Sequence, residues 1–230
     1  MIPSVMTSSR RSSSLPRRFA LVALAVASAA PLATAATVIS TPDVAEAFRP
    51  RSSSEEVAAS AARALEILDE WRSDGDPARY VEFLAARDLT AEQAATELGV
   101  DTTDLVLAWA TTHPTKQVAL LGALTQLGVP YRSRMSQEGV GFDCSGLTTF
   151  AWARAGVEIT RSSGDQVRAA AKVDRGDAVA GDFVHYPGHV MMYLGVPNAV
   201  VHSPNSGNLV EITFVSDRRA DTVVYADPLG

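Results

Sequence analysis

The fold of this chain is decided by residues 142–155, FDCSGLTTFAWARA, and by the apolar runs that come after them. Residues 148–155 have helical character, the helix stops at Gly156, and its first turn begins near Cys144. Five short apolar runs follow, and each is typical of a strand: 182–186, 189–194, 199–203, 209–214 and 222–225. Helices followed by an antiparallel sheet predict an α+β domain.

Cys144 is the one cysteine among the 230 residues, so no disulfide can form within the sequence. At a helix N-terminus, unpaired backbone N–H groups and the helix dipole favour a thiolate, the form that a nucleophilic cysteine needs. The same N–H groups suit a developing oxyanion, and Gly146 lets the backbone or a substrate approach closely. The pattern therefore predicts that Cys144 is a nucleophile.

Two histidines in the predicted strands are candidates for the partners of this thiol. His189 opens the run 189–194, where its imidazole can face a helix N-terminus that packs on the sheet. His202 lies in the next run, and it can lie beside His189 and orient it if the two strands pair as a hairpin. A histidine alone is more often structural, but the combination with Cys144 favours a catalytic group.

These segments resemble successive motifs of the NlpC/P60 cysteine peptidases. The motifs are FDCSGL (142–147), GDFV (181–184), GHV with YLG (188–190 and 193–195) and VHSP (201–204). GVPY (128–131) resembles the family's motif upstream of the nucleophile, and Arg161-Ser162-Ser163 with Gln166 resembles its middle loop. The resemblance covers about residues 113–230, and its strength lies in the order of the motifs.

The resemblance implies a papain-like fold, in which the helix that bears the cysteine packs on an antiparallel sheet that bears the histidines. It implies a thiol protease that hydrolyses peptidoglycan stem peptides, usually at the bond between D-γ-glutamate and the following diamino acid. Cys144 would be the nucleophile, His189 the base and His202 the orienting residue. It implies no metal and no organic cofactor.

The resemblance also implies roles on the substrate side of the site. Tyr131 matches the family's active-site tyrosine, which is associated with the oxyanion or substrate pocket, and Asp143 and Ser145 match positions that shape the substrate side. Two features depart from the family pattern. Met191-Met192 stands where Gly-Ile is frequent, and His185 and Tyr186 are less typical so close to the base.

The first 35 residues are predicted to be a signal peptide. Four arginines precede an uncharged apolar run at 19–30, and Ala33-Thr34-Ala35 supplies a small-residue cleavage pattern. That run is shorter than the roughly 20 residues that span a bilayer, so we expect a secreted protein with no membrane anchor after cleavage. The resemblance implies that the secreted protein is associated with the cell wall. Residues 36–54, rich in Ser, Pro and Thr, are predicted to be a linker.

Residues 55–112 are predicted to be a small all-α segment before the catalytic domain at 113–230. Apolar residues recur at helical spacing as far as Trp71, and residues 74–77, DGDP, end that helix. We expect shorter helices at 78–86, 91–98 and 103–110. Two roles remain open for this segment: a scaffold that docks on the catalytic domain, or a cover over its cleft.

Part of this segment, TAEQAATELGV at 90–100, looks like a helix-turn-helix. The second helix would carry Asp101 and Asp104 toward the phosphates with no Arg or Lys, and the net charge of the chain is −6. Because nucleic-acid binding needs a basic face, these charges argue against DNA as a partner.

Three other functions compete with the peptidase. Cys144, His185, His189 and His202 could supply a zinc site, but their spacing fits no usual ligand motif, and Pro187-Gly188 prevents a regular helix from presenting His185 and His189 together. A non-catalytic wall-binding homologue and a cysteine amidase at the sugar–peptide junction both remain open.

Overall fold

The computed structural model describes residues 53–230. The predicted signal peptide at 1–35 and nearly all of the predicted linker lie outside the described residues. The first described helix begins at Ser53, two residues before the predicted boundary. Among the described residues, no helix combines the length and the apolar character that a membrane span requires.

The described chain begins with four helices and continues into a mixed region. The helices are α1 (Ser53–Asp74), α2 (Pro77–Leu98), α3 (Thr102–Thr111) and α4 (Pro114–Leu124). A small antiparallel pair follows, β1 (Ser136–Gln137) with β2 (Gly141–Phe142), then the helices α5 (Cys144–Arg154) and α6 (Ser163–Ala169). The remaining elements are β3 (Ala171–Val173), β4 (Phe183–Tyr186), β5 (His189–Tyr193), β6 (Ala199–His202), β7 (Glu211–Phe214), α7 (Asp217–Ala220) and β8 (Val224–Asp227).

A six-stranded antiparallel sheet with the order β3-β8-β4-β5-β6-β7 forms the centre of this region. The α+β prediction is confirmed, and each of the five predicted strands is present with its ends within two residues of the prediction. Helix α5 packs on the sheet, where the ring of Trp152 meets that of Phe183 edge-on at 6.2 Å. The three short strands β1, β2 and β3 were not predicted, because two or three residues carry too little periodicity.

The prediction of two helices at 78–86 and 91–98 was wrong, since α2 is continuous from Pro77 to Leu98. No Gly or Pro interrupts its interior, and polar residues between the two predicted helices are used inside the fold. The hydroxyl of Thr90 donates to the carbonyl of Ala86 at 2.8 Å. The guanidinium of Arg87 is buried and donates to Oε1 of Gln117 in α4 at 3.0 Å.

The helical segment and the sheet share one hydrophobic core. Trp109 in α3 is 1% exposed, and its indole N–H donates to the carbonyl of Leu194 at 2.8 Å. Thr112 donates to the carbonyl of Ala180 at 2.9 Å, so the end of α3 is fixed at two points to residues next to the strands β4 and β5. In a helix-turn-helix, α3 would be the helix that enters the DNA groove, but here it packs against the rest of the protein.

A buried ion pair joins α4 to the sheet. Lys116 Nζ lies 2.6 Å from a carboxylate oxygen of Asp182 and 2.9 Å from one of Asp227. The side chains of Lys116 and Asp182 are 4% and 1% exposed. Asp182 also accepts a hydrogen bond from the N–H of Val179 at 2.8 Å, and burial raises the pKa of its carboxyl, which the ammonium of Lys116 opposes.

Replacing Lys116 with Met is expected to lower the free energy of unfolding by about 3–5 kcal/mol, because Asp182 would keep its burial and lose its cation. Urea denaturation at pH 7 measures the change. The double variant Lys116→Met, Asp182→Leu is the control, since it removes both buried charges and should recover most of the loss. An equal loss in the double variant would assign the effect to packing rather than to the unpaired carboxylate.

Candidate active site

Helix α5 begins at Cys144, and the preceding Asp143 caps it. The Oδ1 atom of Asp143 accepts the N–H of Gly146 at 2.7 Å, which satisfies one of the unpaired donors of the first turn. The thiol of Cys144 is partly buried, and its Sγ lies 4.0 Å from the carbonyl oxygen of Gly188. The structure therefore places the thiol at a helix N-terminus, beside the residue that precedes His189.

A close backbone approach holds this helix start in place. The carbonyl of Met135 accepts the N–H of Asp143 at 3.0 Å, and a Cβ at position 146 would lie 2.0 Å from the same oxygen. Gly146 is thus required because the loop from Arg132 presses against the first turn of α5. Of the two groups that the sequence allowed to approach Gly146, the backbone or a substrate, the structure shows the backbone.

The hairpin of β5 and β6 brings the two histidine rings together. Met192 pairs with Val201 in this hairpin, and Nε2 of His189 lies 2.8 Å from Nδ1 of His202. The hydroxyl of Ser203 donates to the carbonyl of Phe142 at 2.8 Å, which ties the end of β6 to the residue before Asp143. The sequence prediction that His202 lies beside His189 agrees with this geometry.

Both rings are neutral near pH 7 in this environment. Burial first, and then positive charge on His202, Arg219 and His185, together lower the pKa of His189 to about 3. Burial alone lowers the pKa of His202 to about 4. A neutral imidazole has one N–H and one bare nitrogen. Because Nε2 of His189 is engaged with His202, Nδ1 is the nitrogen that can take a proton from a thiol, provided that the ring carries its own proton on Nε2.

The lowered histidine pKa values predict that stability falls in acid. The histidines of the unfolded chain bind protons near pH 6.5, whereas in the folded protein they stay neutral down to about pH 4. Their contribution to the free energy of unfolding is therefore complete above pH 6.5 and is lost as the pH falls toward 4. The slope is at most about 1.4 kcal/mol per pH unit for each histidine. Urea denaturation between pH 7.5 and 4.5 measures it, and His202→Asn should show a shallower slope. Identical slopes would contradict the assignment.

A cleft of about 460 Å³ opens in front of the thiol. All of its lining residues come from the region after α4: Tyr131, Arg134, Asp143, Cys144, Ser145, Arg161, Ser162, Ser163 and Gly188. Since the described residues of the helical segment contribute nothing to this lining, the cover hypothesis gains no support and the scaffold interpretation fits.

One guanidinium joins two of the three substrate-side residues predicted from the sequence, Asp143 and Ser145. Arg161 donates to Oδ2 of Asp143 at 2.8 Å and to the hydroxyl of Ser145 at 2.7 Å. The backbone N–H of Arg134 also donates to Oδ2 of Asp143, at 2.8 Å. Burial raises the pKa of the Tyr131 phenol, and negative charge on Asp143 or Cys144 raises it further.

Comparison with protein families agrees with the motif order. The NlpC/P60 family model matches residues 128–224. The chain carries an NlpC/P60 domain. Among curated relatives, the peptidoglycan endopeptidase RipB of Mycobacterium tuberculosis is 40% identical over 101 residues, which is 37% of this chain and 42% of RipB. The γ-D-glutamyl-L-lysine dipeptidyl-peptidase of Bacillus cereus is 40% identical over 94 residues, which is 37% of this chain and 28% of that enzyme.

The murein DD-endopeptidase MepH of Escherichia coli is 32% identical over 111 residues, or 44% of this chain and 41% of MepH. This chain therefore spans less than half the length of these curated relatives. Among solved structures, the non-catalytic RipD of Mycobacterium tuberculosis is 28% identical with a TM-score of 0.41, and it covers 50% of this chain and 98% of RipD.

Two polar residues of the NlpC/P60 domain are more central than the sequence indicated. Gln166 is 2% exposed, and its amide donates to the carbonyls of Ser145 and Thr160 at 3.1 and 2.8 Å. Its Oε1 accepts the hydroxyl of Thr148 at 2.8 Å, so Gln166 ties the loop at 160 to the first turns of α5. The middle-loop motif was the signal for Gln166 and for Arg161, but spacing alone could not assign their partners.

The departures from the family pattern lie behind and beside the base. Met191 and Met192 are buried, and they belong to separate hydrophobic clusters. The ring of Tyr186 lies 5.1 Å from that of His189. The guanidinium of Arg219 lies over the Tyr186 ring, 3.9 Å from the ring centre. Neither His185 nor Tyr186 lines the cleft.

Within residues 53–230, no group of three or more His, Cys, Asp or Glu side chains is arranged to hold a metal ion.

Proposed function

We propose that this protein is an exported cysteine peptidase that hydrolyses peptidoglycan stem peptides, at the bond between D-γ-glutamate and the following diamino acid. The observation that carries the proposal is the position of Cys144 at the start of α5, beside the residue that precedes the paired His189 and His202. The names of the relatives, which include peptidoglycan endopeptidases and a γ-D-glutamyl-L-lysine dipeptidyl-peptidase, support the substrate class.

In the proposed reaction, the Sγ–H proton of Cys144 moves to the bare Nδ1 of His189, and the thiolate adds to the amide carbon. The N–H groups of Cys144 and Ser145 lie in the first turn of α5, where the helix offers them no carbonyl, so they suit the oxyanion that forms. His189 then gives its proton to the leaving amine, and the carbon–nitrogen bond breaks. Water, deprotonated by His189, hydrolyses the thioester and regenerates the thiol.

The charges of the cleft suit a stem peptide. Arg134 and Arg161 line the cleft, and their positive charges can attract the carboxylates of γ-linked glutamate and of a diamino acid. Asp143 lines the same cleft, and its carboxylate holds the guanidinium of Arg161 in place there.

The test is mass spectrometry of the fragments that the purified mature protein releases from peptidoglycan. A D,L-endopeptidase yields fragments that end in γ-linked glutamate together with peptides that begin at the diamino acid. An amidase would instead release whole stem peptides from the sugar. Binding to the wall without fragments, together with ordinary thiol reactivity at neutral pH, would favour the non-catalytic wall-binding function.

A further inference from the structure

The strand β7 adds a third polar group to the histidine pair. In the sheet, Glu211 is directly opposite His202, and its Oε1 lies 3.3 Å from Nε2 of His202. The ring of His202 therefore contacts His189 through Nδ1 and Glu211 through Nε2. Among residues 53–230, Glu211 is the carboxylate that pairs with this ring.

The carboxylate of Glu211 determines the direction of the hydrogen bonds from His189 through His202 to Glu211. An ionised Glu211 only accepts hydrogen bonds, so the proton of neutral His202 belongs on Nε2. Nδ1 of His202 is then bare and accepts the Nε2–H of His189. That leaves Nδ1 of His189 bare, which is the form that can take the proton of a thiol.

The opposite arrangement of protons on the two histidines would leave the site inactive. If His202 carried its proton on Nδ1, it would donate to Nε2 of His189, and His189 would hold its own proton on Nδ1. A ring in that form has no lone pair to offer Cys144. The two arrangements have the same heavy-atom positions, so the hydrogen bond of 2.8 Å between the rings cannot choose between them.

We propose that Glu211 is a positioning residue that fixes the tautomers of His202 and His189, and so keeps Nδ1 of His189 ready as the base. This inference rests on the proposed function for its effect on rate, but its effect on the tautomers stands by itself. The side chain of Glu211 is 49% exposed and its contact is long for an N–H···O bond, so its role is to select a tautomer more than to hold the sheet together.

Three substitutions of Glu211 separate selection of a tautomer from simple packing. Glu211→Gln keeps an acceptor oxygen and should stay within about twofold of the wild-type kcat, whereas Glu211→Leu fills similar space without an acceptor and should lose about fivefold. Glu211→Lys offers only donors, so it favours the inactive arrangement and should fall below the Leu variant. Glu92→Lys on the exposed side of α2 makes the same change in net charge and should leave kcat unchanged.

The tautomers themselves are measured by ¹⁵N NMR of the imidazole rings at pH 7, without substrate. In the wild type we expect protonated Nε2 on both His202 and His189, and in Glu211→Lys protonated Nδ1 on both. Unchanged ring tautomers in Glu211→Leu and Glu211→Lys would overturn the proposal. So would equal losses of kcat in the Gln and Leu variants, since these would indicate a structural role.

The NMR measurement also separates this inference from the proposed function. If the wild-type protein releases no fragments from peptidoglycan, the proposed function fails, and the ring tautomers still decide the role of Glu211. If the Lys variant does not fold, as judged by circular dichroism, the Gln and Leu variants carry the comparison.

Discussion

Cys144→Ala is expected to abolish hydrolysis of stem peptides while the protein remains folded. The substitution removes the atom that would form the thioester, and the neighbouring hydroxyl of Ser145 is already engaged by Arg161 and Asp143. Because the nucleophile and its base act as a unit, we expect kcat to fall about 10⁴-fold or more. The fold should persist because the thiol makes only a weak contact, 4.0 Å from the carbonyl of Gly188.

The measurement is the rate of product formation from a synthetic stem peptide, followed by liquid chromatography and mass spectrometry. The melting temperature of Cys144→Ala reports whether the fold is intact. Cys144→Ser is the matched control for shape, because it keeps a polar atom at the same place with a far weaker nucleophile, and it should also be nearly inactive. Turnover by Cys144→Ala close to that of the wild type would overturn the assignment of the nucleophile.

The local parts of the site could be predicted from the sequence because short-range chemistry determines them. The segment Asp143-Cys144-Ser145-Gly146 places an N-cap before a run of helical residues, and α5 begins at Cys144. The two residues Pro187-Gly188 join two apolar runs, and they form the turn between β4 and β5. In both places the decisive interactions lie within a few residues of each other.

The longer-range parts could not be predicted from the sequence. Glu211 meets His202 only because β7 pairs with β6 in one particular register, and a shift by one residue would turn Glu211 to the other face. The docking of α3 depends on a hydrogen bond between Trp109 and Leu194, which are 85 residues apart. Helix α2 continues through Arg87 because Gln117 in α4 accepts a hydrogen bond from its buried guanidinium. The spacing of apolar residues in the sequence cannot reveal such a partner.

His189→Ala and His202→Ala are expected to differ in severity. Removing His189 removes both the acceptor for the thiol proton and the donor for the leaving amine, so kcat should fall about 10³-fold or more. Removing His202 leaves the base in place, but Nε2 of His189 loses its partner at 2.8 Å and the ring loses its fixed orientation. The loss in that variant should be about 10- to 100-fold, in keeping with an orienting role.

The comparison uses the same peptide assay, with His113→Asn as the control. His113 caps helix α4, its Nδ1 accepts the N–H of Thr115, and the Asn variant can keep this cap while it removes an imidazole remote from the cleft. Its activity should equal that of the wild type. If His202→Ala proves to be the less active of the two variants, the roles of base and orienting residue must be exchanged. That result would also move the proton acceptor to a ring whose nitrogens are both engaged, by His189 and by Glu211, and would require the pair to rearrange before the thiol could be deprotonated.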